Sequence, residues 1–213
     1  MKTRVLCFGD SNTWGYNPTN GTRFDEKTRW PLVLQEMLGG EYQIIEEGQN
    51  GRTFNTDDHK SGYMSGNYIL QPCLKSHDPL DYFVLMLGTN DLKKSYGLSL
   101  KDISENAEIL FEKANRYWLD IARKTPKVLI VSPPLITEAL FKSCFSHDFE
   151  DEKTMEKSKN MSEYLRRVSA KKGYSFLDAK NYVTVGKIDG LHLDEEGHHK
   201  MARLVYDWIM GDI

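Results

Sequence analysis

Five short apolar runs, bounded by turn residues and spaced mostly by long stretches of helical periodicity, constrain this chain more than any other feature of its sequence. They are Arg4 to Phe8, Tyr42 to Glu46, Tyr82 to Leu87, Val128 to Val131 and Ser175 to Leu177, each ending near a Gly, Ser, Pro or Asp. Runs of this length and character read as buried strands, and long helical connections between them imply parallel pairing. Between the third and fourth runs, Ile103, Ala107, Leu110, Ala114, Tyr117, Trp118 and Ile121 recur at helical spacing, with Ser99 and Asp102 placed as a capping box. A second amphipathic helix follows Asp194-Glu195-Glu196 and carries Met201, Ala202, Leu204, Val205, Trp208 and Ile209. Further helices are expected over Arg29 to Leu38, Met64 to Lys75 and Lys153 to Lys171.

Strands alternating with helices predict an α/β fold with three α/β/α layers, a five-stranded parallel sheet of flavodoxin-like form with helices on both faces. At 213 residues, with no repeat or low-complexity linker, one domain over residues 1–213 is expected. The 28 Lys and Arg against 31 Asp and Glu leave a formal charge of −3, which argues against a broadly basic nucleic-acid surface. The charge-free stretch Val128 to Ile136 falls far short of the roughly 20 apolar residues of a membrane span. Three cysteines, Cys7, Cys73 and Cys144, are too few for a disulfide scaffold and suit a reducing compartment. The short apolar run after Met1-Lys2-Thr3-Arg4 is no secretory signal, so the expected location is the cytoplasm.

Open parallel sheets bind ligands beyond the carboxyl ends of their strands. There the sequence places Gly9-Asp10-Ser11-Asn12-Thr13-Trp14-Gly15 after the first run, Gly48-Gln49-Asn50-Gly51-Arg52-Thr53 after the second and Gly88-Thr89-Asn90-Asp91 after the third. Asp189-Gly190-Leu191-His192 stands near the C-terminus. A serine at a strand end can present its hydroxyl above the sheet, but it needs a base to take its proton. His192 is the candidate base, and Asp189, three residues earlier, is placed to fix its tautomer and stabilise the imidazolium. The backbone amides of Ser11 and Gly51 and the side-chain amide of Asn90 are candidate donors to an oxyanion.

Each block alone is as consistent with an ordinary turn; their common edge and order favour chemistry. Trp14 and Tyr16 suit either a substrate pocket or packing, and Arg52 suits either an anionic substrate group or a surface pair. Asp10 and Asp91 are expected to hold loops rather than to act as paired acids. His192, Asp194, His198 and His199 invite a metal reading, but Asp194 is better used as a helix cap, and adjacent helical residues point about 100° apart. The long connection from Glu138 to Asp151, with Phe141, Cys144, Phe145 and Phe149, is expected to form a lid or, through exposed aromatics, a homo-oligomer interface. The competing function class, a phosphate- or nucleotide-binding protein without catalysis, lacks both glycine-rich phosphate patterns after the first run.

The four blocks together resemble the SGNH hydrolase superfamily, the GDSL-type esterases and lipases. Phe8-Gly9-Asp10-Ser11 is similar to its nucleophile block, Gly51 to its oxyanion glycine, Gly88-Thr89-Asn90-Asp91 to its Gly-x-Asn-Asp block, and Asp189-Gly190-Leu191-His192 to its Asp-x-x-His block. The longer stretches Cys7 to Gly15, Glu46-Glu47-Gly48, Met86 to Asp91 and Lys127 to Pro134 resemble the bacterial arylesterase and acyltransferase branch. The resemblance implies hydrolysis of small acyl esters through Ser11, Asp189 and His192, without metal or organic cofactor, and acyl transfer to alcohols as a related activity. Carbohydrate acetylesterase and lysophospholipase or thioesterase activities share that mechanism. Asn12 stands where the GDSL signature has leucine.

Overall fold

Strand alternation sorts the first apolar run onto two faces, and the rest of the fold follows from covering both. In the computed structural model, which describes residues 2–60, 62 and 65–211 with Asp151 as backbone alone, β1 (Thr3–Gly9) turns Leu6 and Phe8 to one face and Val5 and Cys7 to the other. β1 pairs in parallel with β2 (Tyr42–Gly48) on one side and β3 (Tyr82–Met86) on the other. β4 (Lys127–Ser132) and β5 (Ser175–Asp178) complete the order β2-β1-β3-β4-β5.

One face buries Leu6, Phe8, Phe83, Leu85 and Ile130 under α3 (Gly66–His77), α4 (Leu100–Asp120) and α5 (Asp151–Lys171). The other buries Val5, Cys7, Val84, Met86, Leu129 and Val131 under α2 (Trp30–Leu38) and α6 (Glu195–Met210). The expected capping box is present: the Asp102 amide donates to Ser99 Oγ at 3.2 Å and the Ser99 amide to Asp102 Oδ2 at 2.8 Å. Asp194 caps α6 by accepting from the Gly197 amide at 2.9 Å.

Most element boundaries shift by one or two residues from expectation. β2 runs on through Glu47 and Gly48, which an edge strand tolerates because one of its sides is not covered by another strand. Ile121 falls just beyond α4 and is 53% exposed, so it does not join the helix's buried stripe. α3 begins at Gly66, capped by Ser65; Met64, where the sequence suggested its start, lies outside the described residues. No described helix is long and apolar enough to cross a membrane.

The chain leaves β1 toward β2 on one side and later returns to place β3 on the other, so the sheet's switch point lies beside β1. The loops after β1, β2 and β3 converge there.

Candidate active site

Gly9 ends β1, Asp10 follows, and the chain turns at once into α1 (Ser11–Trp14). Asp10 Oδ1 accepts from the Asn12 amide at 2.9 Å, which fixes this sharp strand-to-helix turn. Ser11 is the first helical residue, so its own amide has no partner within the helix and remains available beside its hydroxyl. The turn packs so tightly on the end of β2 that a Cβ on Gly48 would lie 2.2 Å from the Trp14 amide nitrogen.

Ser11 Oγ lies 2.9 Å from His192 Nε2, and His192 Nδ1 lies 2.6 Å from Asp189 Oδ2. All three side chains are buried. The other Asp189 oxygen accepts from the amides of Leu191 and His192, each at 3.0 Å, so one carboxylate both shapes the turn and orients the ring. Burial pushes the Asp189 carboxyl upward, but the hydrogen bond and charge of His192 and the two amides outweigh it and hold the group below its ordinary value.

Gly51 adopts φ 76°, a left-handed conformation that glycine reaches without strain, and it lines the same cavity as Ser11, His192 and Asn90. Asn90 Nδ2 donates to the Arg52 carbonyl at 3.1 Å, a bond that orients the amide and leaves its second hydrogen for a ligand. The expected serine, histidine, aspartate, glycine and asparagine are thus brought together.

Asp10 and Asp91 have the loop-holding positions expected of them. Asp91 accepts from the Phe54 amide with both oxygens at 3.2 Å. Burial raises the Asp91 carboxyl to about 7, with the Phe54 amide opposing and Asp10 adding to the rise. Burial raises Asp10 to about 6 against the Asn12 amide, His192, Arg52 and the Thr89 hydroxyl.

Two candidates for substrate contact, Arg52 and Trp14, lie elsewhere. Arg52 is buried, donates through Nη1 to the carbonyls of Gly9 and Glu47, and lies 4.2 Å from the centre of the Phe8 ring. Its guanidinium ties β1 to β2 beneath the site instead of reaching into the cavity. Trp14 also lies outside the cavity lining; the Arg23 guanidinium covers its ring at 5.4 Å. Tyr16 takes the place at the cavity wall, its ring centre 4.3 Å from that of His192.

The connection from Glu138 to Asp151 carries two short 3₁₀ turns, and its aromatics are buried or half-buried rather than exposed as expected. Phe149 is buried, while Phe141 and Phe145 are half-buried against the core. Phe145 stacks edge-on to His192 at 5.3 Å, so the segment supplies a wall of the cavity together with Asp148 and Phe149. Lys93 pairs with Asp148 at its lining, 3.7 Å apart. The space is small, about 130 Å³, and open to solvent on one side.

Asn12 was legible only as a departure from the leucine of the GDSL signature, yet it binds the histidine loop on both sides of His192. Its Oδ1 accepts from the Leu193 amide at 2.8 Å and its Nδ2 donates to the Leu191 carbonyl at 3.3 Å. Among the described residues, His192, Asp194 and His198 do not converge as a ligand set.

A serine, imidazole and carboxylate in line, with amide donors beside the serine, define a hydrolase of the acyl-transfer type. The family model of GDSL-like lipases and acylhydrolases matches residues 5–205. The chain belongs to that family, within the SGNH hydrolases, and is an ester-hydrolysing enzyme. Its fold is similar to that of a carbohydrate acetylesterase family member from Sinorhizobium meliloti, with 34% identity, 99% of this chain and 98% of that one covered, and a TM-score of 0.90. An inhibitor-bound aryl esterase from M. smegmatis is similar at 29% identity, 99% and 100% coverage and a TM-score of 0.91. A second carbohydrate acetylesterase from Sinorhizobium meliloti has 30% identity, full coverage of both chains and a TM-score of 0.87. No curated protein matches the chain.

Proposed function

We propose that the protein is a serine esterase for short acyl esters, acting as one domain over residues 1–213 through an acyl-enzyme on Ser11. The observation that carries this reading is the unbroken path from Ser11 Oγ through His192 to Asp189 at the wall of the small cavity. His192 Nε2 takes the hydroxyl proton as Ser11 Oγ attacks the ester carbonyl, and Asp189 stabilises the imidazolium. The oxyanion is met by the Ser11 and Gly51 amides and by Asn90 Nδ2. His192 then gives the proton to the departing alcohol, and water, activated by the same imidazole, releases the acid. An alcohol in place of water gives acyl transfer.

A space of about 130 Å³ walled by Tyr16, Phe145, Phe149 and Leu191 favours acetyl and similarly short acyl groups over lipid chains. The Lys93–Asp148 pair at the same cavity favours an alcohol half with polar groups, which makes carbohydrate acetyl esters the second reading. Two of the similar structures carry that name. The free thiols of Cys7, Cys73 and Cys144 support a cytoplasmic location.

Titration with a phosphonate directed at active serines, read by intact mass and peptide mapping, tests the mechanism. One equivalent should attach at Ser11, and Ser11→Ala should remain unlabelled, fold normally and lose nearly all hydrolysis of p-nitrophenyl acetate. Near-normal turnover by Ser11→Ala, or labelling at another residue, overturns the assignment.

A further inference from the structure

The Glu46-Glu47 pair singled out in the sequence splits across the sheet. Glu46 turns to Arg29 and Arg23, at 3.0 and 3.2 Å. Glu47 points the other way, toward the last turn of α3, and the active site does not use it. There Cys73 and His77, four residues apart, share one helix face. His77 Nε2 lies 2.9 Å from Glu47 Oε1, and the Cys73 thiol stands beside the same carboxylate. Sulfur, imidazole nitrogen and carboxylate oxygen all lie within 4.8 Å of one another.

We propose that Glu47, Cys73 and His77 form a binding site for a zinc-class divalent cation. One sulfur, one nitrogen and one oxygen ligand suit zinc or cobalt, whereas magnesium and calcium demand oxygen. Tetrahedral zinc with bonds of about 2.0–2.3 Å sets its ligand atoms roughly 3.3–3.8 Å apart, so small side-chain rotations bring the three donors into place. The His77 and Glu47 side chains are 25% and 31% exposed, which gives an ion access and leaves the fourth position to water. On binding, the Cys73 S–H bond breaks, its proton passes to solvent, and the sulfur–metal bond forms; His77 coordinates through Nε2 with its proton on Nδ1. The Arg52 guanidinium is the facing cation, close enough to act on both Cys73 and Glu47. It opposes the ion, and burial and the Glu47 charge together push the Cys73 thiol up to about 12 despite Arg52, which sets the affinity below that of a closed four-ligand site. The consequence is a clip from α3 to the end of β2, the strand that leads into the Gly51 loop.

Cobalt(II) titration of the full chain tests the site, because a thiolate ligand gives a charge-transfer band that oxygen and nitrogen donors do not. The band should appear in the native chain and in Cys144→Ser and vanish in Cys73→Ser. Zinc, in competition with a chromophoric chelator, should bind at least about tenfold more weakly to Glu47→Gln and His77→Gln. Circular dichroism and metal-free melting temperature show whether each variant retains the native fold, and zinc should raise the melting temperature of the native chain but not of Cys73→Ser. Absence of the band in the native chain overturns the proposal. So does a band that survives Cys73→Ser or is lost in Cys144→Ser instead.

Discussion

Two buried histidines six residues apart, His192 and His198, occupy opposite electrostatic situations. His192 sits between a serine hydroxyl and a carboxylate, its loop held on both sides by Asn12. His198 lies in the first turns of α6, where Nδ1 accepts the Trp30 amide at 3.3 Å, the Phe24 ring stands edge-on, and Nε2 has no partner among the described residues. Burial, reinforced by His192, His199 and Arg29, drives the His198 imidazole down to about 3. An imidazole packed without a carboxylate is a neutral acceptor at every ordinary pH; one backed by Asp189 can carry the proton that the proposed reaction hands to it.

Of the changes that test this contrast, making His192 resemble His198 is the most damaging. Asp189→Asn keeps the volume but removes the charge and favours the wrong imidazole tautomer. In a triad with this dependence kcat falls by up to about 10⁴-fold. Steady-state hydrolysis of p-nitrophenyl acetate measures it. Full activity in Asp189→Asn would mean that His192 works without the partner that distinguishes it from His198.

Asn90→Ala damages the reaction without touching either imidazole. Loss of one oxyanion donor typically costs about 10²- to 10³-fold in kcat. The fall should leave the pH profile unchanged in shape, since the hydrogen bonds of His192 and Asp189 remain. A change in KM alone would make Asn90 a binding residue instead.

Asn12→Leu restores the GDSL signature residue and removes both bonds that hold the histidine loop. Each is worth about 0.5–1.5 kcal/mol net, and the exposed loss is the unpaired Leu193 amide and Leu191 carbonyl. A shift of about 1 Å between reacting groups can cost on the order of 10²-fold. We expect a fall of that size or smaller in kcat, little change in KM, and slower phosphonate labelling of Ser11. A variant that lost stability but labelled Ser11 at the native rate would confine Asn12 to folding.

The contrast between the two histidines also marks how far the sequence could be read. The five strands, the capped helices and the places of Ser11, Gly51, Asn90, Asp189 and His192 followed from apolar runs and from the rule that sites gather at strand ends. Side-chain direction did not follow. Arg52 adjoins Gly51, but its guanidinium turns back to the Gly9 and Glu47 carbonyls, a choice made by the pairing of β1 with β2. Trp14 and Tyr16 are two residues apart in a turn where no simple periodicity assigns a face, and only Tyr16 meets the cavity. Phe149 is buried in the larger apolar core, a long-range packing event invisible in a run of mixed polar and aromatic residues.

The smallest expected effect isolates His198 from catalysis. Its folded-state value of about 3 lies below the ordinary 6.5, so the folded chain resists protonating it while the unfolded chain does not. The stability tied to neutral His198 is therefore fully present above about pH 6.5 and is lost as pH falls toward 3, by at most about 1.4 kcal/mol per pH unit for one proton. Asp10 and Asp91, raised to about 6 and about 7, act in the opposite sense, losing their contribution as pH rises through those values. The melting curve of the native chain alone therefore mixes the groups, and a paired comparison separates them. His198→Asn keeps an acceptor for the Trp30 amide but has nothing to protonate. Its melting temperature relative to the native chain should improve steadily as pH is lowered from 6.5 to 4, while p-nitrophenyl acetate turnover at neutral pH stays within a few-fold of native. A difference in melting temperature that did not vary with pH would show that His198 is not held neutral by burial, and a large loss of turnover would show that the two histidines are coupled in catalysis.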